Sequence, residues 1–97
     1  LIRHRTYVMA GDGDLQEGIS HEALSLAGHL KLNKLILLYD SNQITIDGST
    51  SLSDSTDVKK RFKSYGWKVL KADGHNIDDI RKTIKKANKS SRPVIII

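Results

Sequence analysis

The sequence predicts an α/β fold, a mostly parallel sheet with flanking helices, and three observations carry that expectation. Short apolar or β-prone runs at 6–10, 35–39, 67–71 and 93–97 have strand length. Segments with helical periodicity and polar turns alternate with them, as in chains that lay helices over a parallel sheet. The run Leu35-Ile36-Leu37-Leu38-Tyr39 is apolar throughout, the pattern of a strand covered on both faces.

Taken in order, Thr6-Tyr7-Val8-Met9-Ala10 reads as a buried strand that stops at a tight turn, Gly11-Asp12-Gly13. From 16 to 32 the apolar positions Ile19, Ala23, Leu26 and Leu30 recur at steps of four, three and four, which sets them on one helical face. Asp14 and Glu17 put negative charge at the start of this helix, and Lys31 and Lys34 put positive charge at its end, as the helix dipole favours. Strand, crossover helix and second strand make a βαβ unit. Its right-handed crossover sets the two strands parallel, with their carboxyl ends on one edge.

Residues 45–56 are rich in Ser, Thr, Asp and Gly and read as a surface loop, with Ile44 and Ile46 as apolar punctuation. Asp57 is expected to cap a short helix that stops at Gly66, where a positive φ is available. A third strand over 67–71, a turn at Asp73-Gly74-His75, a helix over 77–88 and a strand opening at Pro93 complete the alternation, with Trp67 in the core. The chain stops inside that last apolar run, so it reads as a truncated piece.

The chain has 97 residues, enough for one domain that buries roughly 60–65% of its unfolded surface. No window approaches the ~20 apolar residues of a membrane span, and no secretory leader is visible, so a soluble cytoplasmic protein without a membrane partner is expected. The absence of cysteine excludes disulfides and thiolate metal sites. The net charge of +5 comes largely from two runs, Lys59 to Lys63 and Arg81 to Lys89, in which basic and apolar residues interleave. Both read as solvated helix faces without the stacking aromatics of a nucleic-acid surface, so no nucleic-acid partner is expected.

The chemistry concentrates at two strand ends, where ligands of open α/β sheets bind. Gly11 and Gly13 flank Asp12, allowing the backbone to approach a bulky anion, and the Gly13 N–H can face a phosphate near a helix N-terminus. Asn42 lies 30 positions after Asp12, at the end of the second strand. A carboxylate and an amide carbonyl are hard oxygen ligands, too few for Mg²⁺ or Ca²⁺ alone but sufficient once phosphate oxygens join them. The Ile44 carbonyl is placed to add another.

Gly11-Asp12-Gly13 followed by Asn42 resembles the thiamine diphosphate motif. The longer stretch GDGDLQEGISHEALSLAGHLKLNKLILLYDSNQITIDGST at 11–50, with YGW at 65–67, is similar to the transketolase family. The resemblance covers nearly the whole chain. It implies a thiamine diphosphate-binding, Rossmann-like fold, with residues 1–97 a fragment of the diphosphate-binding (PP) domain. It also implies that Asp12, Asn42 and the Ile44 carbonyl hold Mg²⁺ or Ca²⁺, that Gly13 and Asn42 contact the diphosphate, and that Ile46 packs near the thiazolium. Glu17 matches a glutamate of an acidic network that crosses the family's homodimer. The implied reaction transfers a two-carbon ketol unit between sugar phosphates in the pentose phosphate pathway. Groups that activate the cofactor or bind substrate lie elsewhere in the family, so the fragment alone is expected to be inactive. The sequence departs from many relatives in having Ser41-Asn42 where they have Asp-Asn, and Asp14 where a neutral residue is frequent.

The rival reading is a dinucleotide-binding domain of an oxidoreductase, with Asp40 on a ribose hydroxyl. Its glycine fingerprint requires a third glycine at 16, where Gln16 stands. His21, His29 and His75 read as surface or structural residues.

Overall fold

Apolar strands with helical crossovers assemble here as the alternation requires. The computed structural model describes residues 3–41 and 57–97, together with the backbone of 44–45 and 48–49. In chain order the elements are β1 (Thr6–Ala10), α1 (Asp12–Gln16), α2 (Gly18–His29), β2 (Leu35–Tyr39), the short β3 (Ile44–Thr45) and β4 (Gly48–Ser49), α3 (Val58–Ser64), β5 (Lys68–Leu70), α4 (Ile77–Ala87) and β6 (Val94–Ile96). Four of them form one sheet in the order β1-β2-β6-β5. All three pairings in it are parallel.

Period-two alternation divides the core between the two faces of the sheet. Leu37, Tyr39 and Ile95 pack on one side with Leu15 of α1, Ala27 of α2, Phe62 of α3 and Trp67. Ile36, Val94 and Ile96 pack on the other with Ala87 and Ile84 of α4. Covering both faces is what lets an all-parallel sheet persist. Phe62 and Trp67 meet edge to face, with centroids 5.2 Å apart, and the Trp67 indole N–H donates to the Leu24 carbonyl of α2 at 2.9 Å. That bond satisfies the polar end of a buried ring and fastens α2 to the start of β5.

The helix ends follow local chemistry. The Asp57 carboxylate accepts from the Lys60 N–H at 3.1 Å, Gly66 closes α3 with φ +85°, and the Asn76 side chain accepts from the Asp79 N–H at 3.1 Å. α2 ends in a Schellman arrangement, Lys31 N–H to the Gly28 carbonyl and Leu32 N–H to the Ala27 carbonyl, each at 3.1 Å. The position that needs positive φ in that motif is held by Lys31, at φ 52°.

Several expectations are corrected. Among the described residues β1 pairs only with β2, and its side chains are largely exposed in this chain rather than buried. The helix expected over 16–32 is two helices. The chain turns helical at Asp12, straightens at Glu17 (φ −60°, ψ 137°), resumes at Gly18 and ends at His29. Lys31 and Lys34 therefore lie beyond its last turn, where His29 is the only basic residue.

The stripe Ile19, Ala23, Leu26 and Leu30 does not face the sheet; Ile19 is 77% exposed and Leu26 and Leu30 are each 56% exposed. Leu24, Ala27 and Gly28 face inward instead. The helix is apolar on two sides, and Gly28 selects between them. A Cβ at Gly28 would lie 1.8 Å from the Tyr65 carbonyl oxygen and 3.2 Å from Trp67 Cδ1. Only a bare backbone lets α2 come this close, and a glycine adds nothing to a count of apolar positions. In the stretch expected to be a loop, the described residues pair antiparallel, Ile44 with Ser49 and Thr45 with Gly48.

Two stability predictions follow from these backbone features. Gly28→Ala forces α2 off the turn at Tyr65 and is expected to lower unfolding free energy by about 3 kcal/mol in urea denaturation, as overpacking does. Lys31→Gly relieves a left-handed lysine and is expected to raise stability by about 0.5–1 kcal/mol. An unchanged midpoint for Gly28→Ala would contradict the close approach.

Candidate functional site

Parallel pairing of β1 with β2 sets Ala10 opposite Tyr39, so the residues that follow both strands emerge at one edge. The Asp40 N–H donates to the Ala10 carbonyl at 2.9 Å and extends the pairing past the last paired residues. Gly11 is extended (φ −107°, ψ −177°) and leads directly into α1. Its N–H donates to Asp14 Oδ2 at 2.9 Å, and the Leu15 N–H returns to the Gly11 carbonyl at 3.3 Å. Asp12 and Gly13 are thus the first two residues of α1, where backbone N–H groups have no carbonyl partner within the helix. The Gly11-Asp12-Gly13 turn expected from the sequence is therefore a helix entry.

The two glycines differ from Gly28. Among the described residues a Cβ at Gly13 would meet nothing within 4 Å, and one at Gly11 would meet only Asp14 Oδ2, at 3.9 Å. Packing among the described residues does not require either glycine. The open space above Gly13 suits the close approach of a bulky group to the backbone.

Asp12 is half-buried at this corner, and Gly13 and Asp14 are exposed. Ser20 Oγ donates to the Asp14 carbonyl at 2.7 Å, holding α2 against the exit of α1 across the extended Glu17. The Glu17 side chain is exposed between the two helices. At the end of β2, Asp40 and Ser41 are exposed beside this corner. Ile44 lies in β3, opposite Ser49, while Asn42 and Ile46 fall outside the described residues. Among the described residues no three His, Cys, Asp or Glu side chains converge to hold a metal ion.

The same edge has a feature that the sequence reading treated only as a turn. A cavity of about 650 Å³ opens between the ends of β2, β5 and β6, floored by apolar residues that include Leu38 and Ile96 and rimmed by Asp40, Ser41, Asp73 and His75. Asp73 Oδ1 accepts from the His75 N–H at 2.9 Å, and the Asp73 N–H donates to Asp79 Oδ2 at 2.7 Å, which fixes the turn against α4. The available signal was topological: a turn after a parallel strand emerges at the edge that carries Asp12.

The remaining histidines and Trp67 keep structural roles. His21 Nδ1 lies 3.3 Å from the Tyr65 hydroxyl, which accepts from Arg61 Nε at 3.1 Å, so His21 links α2 to the end of α3. His29 is exposed in the last turn of α2. Past the end of β5, an exposed side-chain contact with Lys71 holds the Lys59 ammonium below its ordinary value.

Comparison with known proteins matches this arrangement to one family. The family described as transketolase, thiamine diphosphate binding domain, matches residues 1–97. A transketolase from Halalkalibacterium halodurans is 54% identical over 97 residues, covering 99% of this chain and 15% of the relative. The crystal structure of transketolase from Campylobacter jejuni superposes with a TM-score of 0.96 at 50% identity, covering 100% of this chain and 15% of that one. A transketolase from Pichia stipitis, solved with sedoheptulose-7-phosphate, superposes with a TM-score of 0.91 at 45% identity, covering 95% of this chain and 14% of that one. The chain thus spans about one seventh of the length of these relatives. With the family matched from end to end, the chain belongs to the transketolase thiamine diphosphate-binding domain family.

Proposed function

We propose that residues 1–97 form part of the diphosphate-binding (PP) domain of a transketolase and anchor thiamine diphosphate through Mg²⁺ or Ca²⁺. The observation that carries this reading is the corner itself. Parallel β1 and β2 bring Asp12 beside the residues after Tyr39, with open space over Gly13. Asp12, Asn42 and the Ile44 carbonyl are the proposed metal ligands. Gly11, Gly13 and Asn42 take the diphosphate, and Ile46 packs near the thiazolium. A half-buried carboxylate at a helix N-terminus fits a cation-bridged diphosphate, because the carboxylate would hold the cation and the positive end of the helix dipole would favour the phosphates.

Bound thiamine diphosphate supplies the carbanion chemistry for moving a two-carbon ketol unit between sugar phosphates. Sedoheptulose-7-phosphate bound to the Pichia stipitis relative supports that substrate class. This chain's residues contribute position: they fix the diphosphate end and keep the charged cation and phosphates in a defined orientation. Glu17 is proposed to act in an acidic network between subunits of a homodimer. The exposed Ile19, Leu26 and Leu30 on α2, which begins at the next residue, offer apolar surface of the kind that subunit contacts cover. We place the complete enzyme in the cytoplasmic pentose phosphate pathway. Family membership disfavours the dinucleotide-binding reading.

In the complete enzyme, Asp12→Ala is expected to weaken Mg²⁺-dependent thiamine diphosphate binding by about 100-fold, or ~2.7 kcal/mol, in calorimetric titration. Unchanged affinity would remove Asp12 from the ligand set. The isolated 97-residue chain is expected to show no ketol transfer in a coupled assay and only weak cofactor binding. Micromolar or tighter binding by the chain alone would show that the anchor needs no partner domain.

A further inference from the structure

Helix-sheet connections in this fold emerge at two edges, and the edge opposite Asp12 carries an unassigned concavity. It lies where α2 ends and where β5 and β6 begin, has a volume of about 580 Å³, and is lined by Gly28, Lys31, Gly66, Lys68, Lys89, Ser90, Ser91 and Arg92. Lys31, Lys68, Lys89 and Arg92 share it with no acidic residue in the lining. Among the described residues none of these four cations forms an ion pair; the one ion pair found there is Arg81 with Asp78, on α4. Gathering like charges without counterions is unfavourable by Coulomb repulsion, and a bound anion reverses its sign.

The backbone holds this arrangement in place. Lys31 occupies the left-handed position at the end of α2, at φ 52°, where glycine would be less strained. Ser90 Oγ donates to the Arg92 carbonyl at 2.8 Å and accepts from the Arg92 N–H at 3.2 Å, shaping the turn that presents Lys89, Ser91 and Arg92. The Lys68 N–H donates to the Pro93 carbonyl at 2.9 Å, which fixes the β5 cation next to that turn.

We propose that this concavity is a second anion site, specific for a small molecule bearing two or more phosphate groups and separate from the corner at Asp12. Arg92 supplies a planar donor fork and the three lysines supply point charges, the combination that suits several phosphate oxygens at once. A small ligand is favoured over nucleic acid because the cations line a bounded concavity and no aromatic ring lies among them for bases to stack on.

The test titrates inorganic triphosphate into the full-length protein that carries this chain. EDTA is present so that no divalent cation can bridge the probe to Asp12. A single class of site is expected, weakened at least ~10-fold by the double substitution Lys89→Ser with Arg92→Ser. Affinity should also fall as salt rises from about 0.05 to about 0.3 M. Lys82→Ser with Lys85→Ser removes the same charge from exposed positions of α4 outside the concavity and is expected to change affinity less than ~2-fold. Asp12→Ala is expected to leave triphosphate binding unchanged. Far-UV circular dichroism of each variant should match the parent.

Absence of binding, or equal losses in the two double variants, overturns the proposal. So does a gain in affinity in Asp12→Ala, which would place the probe at the other edge, where this carboxylate repels an anion once the bridging cation is chelated. A single-stranded oligonucleotide that displaces triphosphate with affinity growing with its length would make the surface a nucleic-acid face and overturn it too.

Discussion

A parallel strand has no hairpin to hold it to its neighbour, so its place depends on a long crossover and on cover over both faces. β2 meets that demand between β1 and β6, with Leu37 and Tyr39 under α1, α2 and α3 and Ile36 under α4. Everything at the carboxyl edge depends on this register. Because Ala10 lies opposite Tyr39, Asp12 emerges beside Asp40 and Ser41 although some thirty residues of chain separate them. A one-residue slip would turn the alternating side chains of β2 to the wrong faces and displace the corner with them.

The crossover itself is set by a contact that contains no hydrophobic side chain. Gly28 lets the backbone of α2 reach the Tyr65 carbonyl, and the Trp67 indole then bonds to Leu24. These contacts choose which apolar side of α2 is buried. The side left exposed, with Ile19, Leu26 and Leu30, is as apolar as many buried helix faces, so periodicity alone could not rank the two. The glycines of the chain thus divide by physical role. Gly28 yields room to another part of the same chain, Gly66 supplies a positive φ, and Gly13 opens onto space that none of the described residues fills.

Charged residues cluster at both edges of the sheet, and Lys71 stands among those at the carboxyl edge, directly after β5. Acidic residues Asp12, Asp14, Asp40 and Asp73 gather where the strands end, and Lys31, Lys68, Lys89 and Arg92 gather where β5 and β6 begin. The net charge of +5 is therefore not an evenly spread coat over helix faces. The two edges suit different ligands: carboxylates at a helix N-terminus favour a cation-bridged phosphate, and clustered cations favour the anion directly.

Sequence by itself determined the alternation of strands and helices, the cap at Asp57, the stop at Gly66, the buried Trp67 and the family. Each is written in local chemistry: a run of apolar residues, a side-chain oxygen before a helix, a glycine after one, or a motif of fixed spacing. The pairing of the Gly11-Asp12-Gly13 end with the end of β2 was legible too, because a right-handed βαβ crossover leaves little choice. Tertiary structure alone decided which face of α2 is buried, that the side chains of β1 are largely exposed in this chain, that the helix begins at Asp12 and breaks at Glu17, and that four distant cations share one concavity. Those outcomes rest on close approach between segments far apart in sequence, and a pattern read along the chain carries no measure of distance across it.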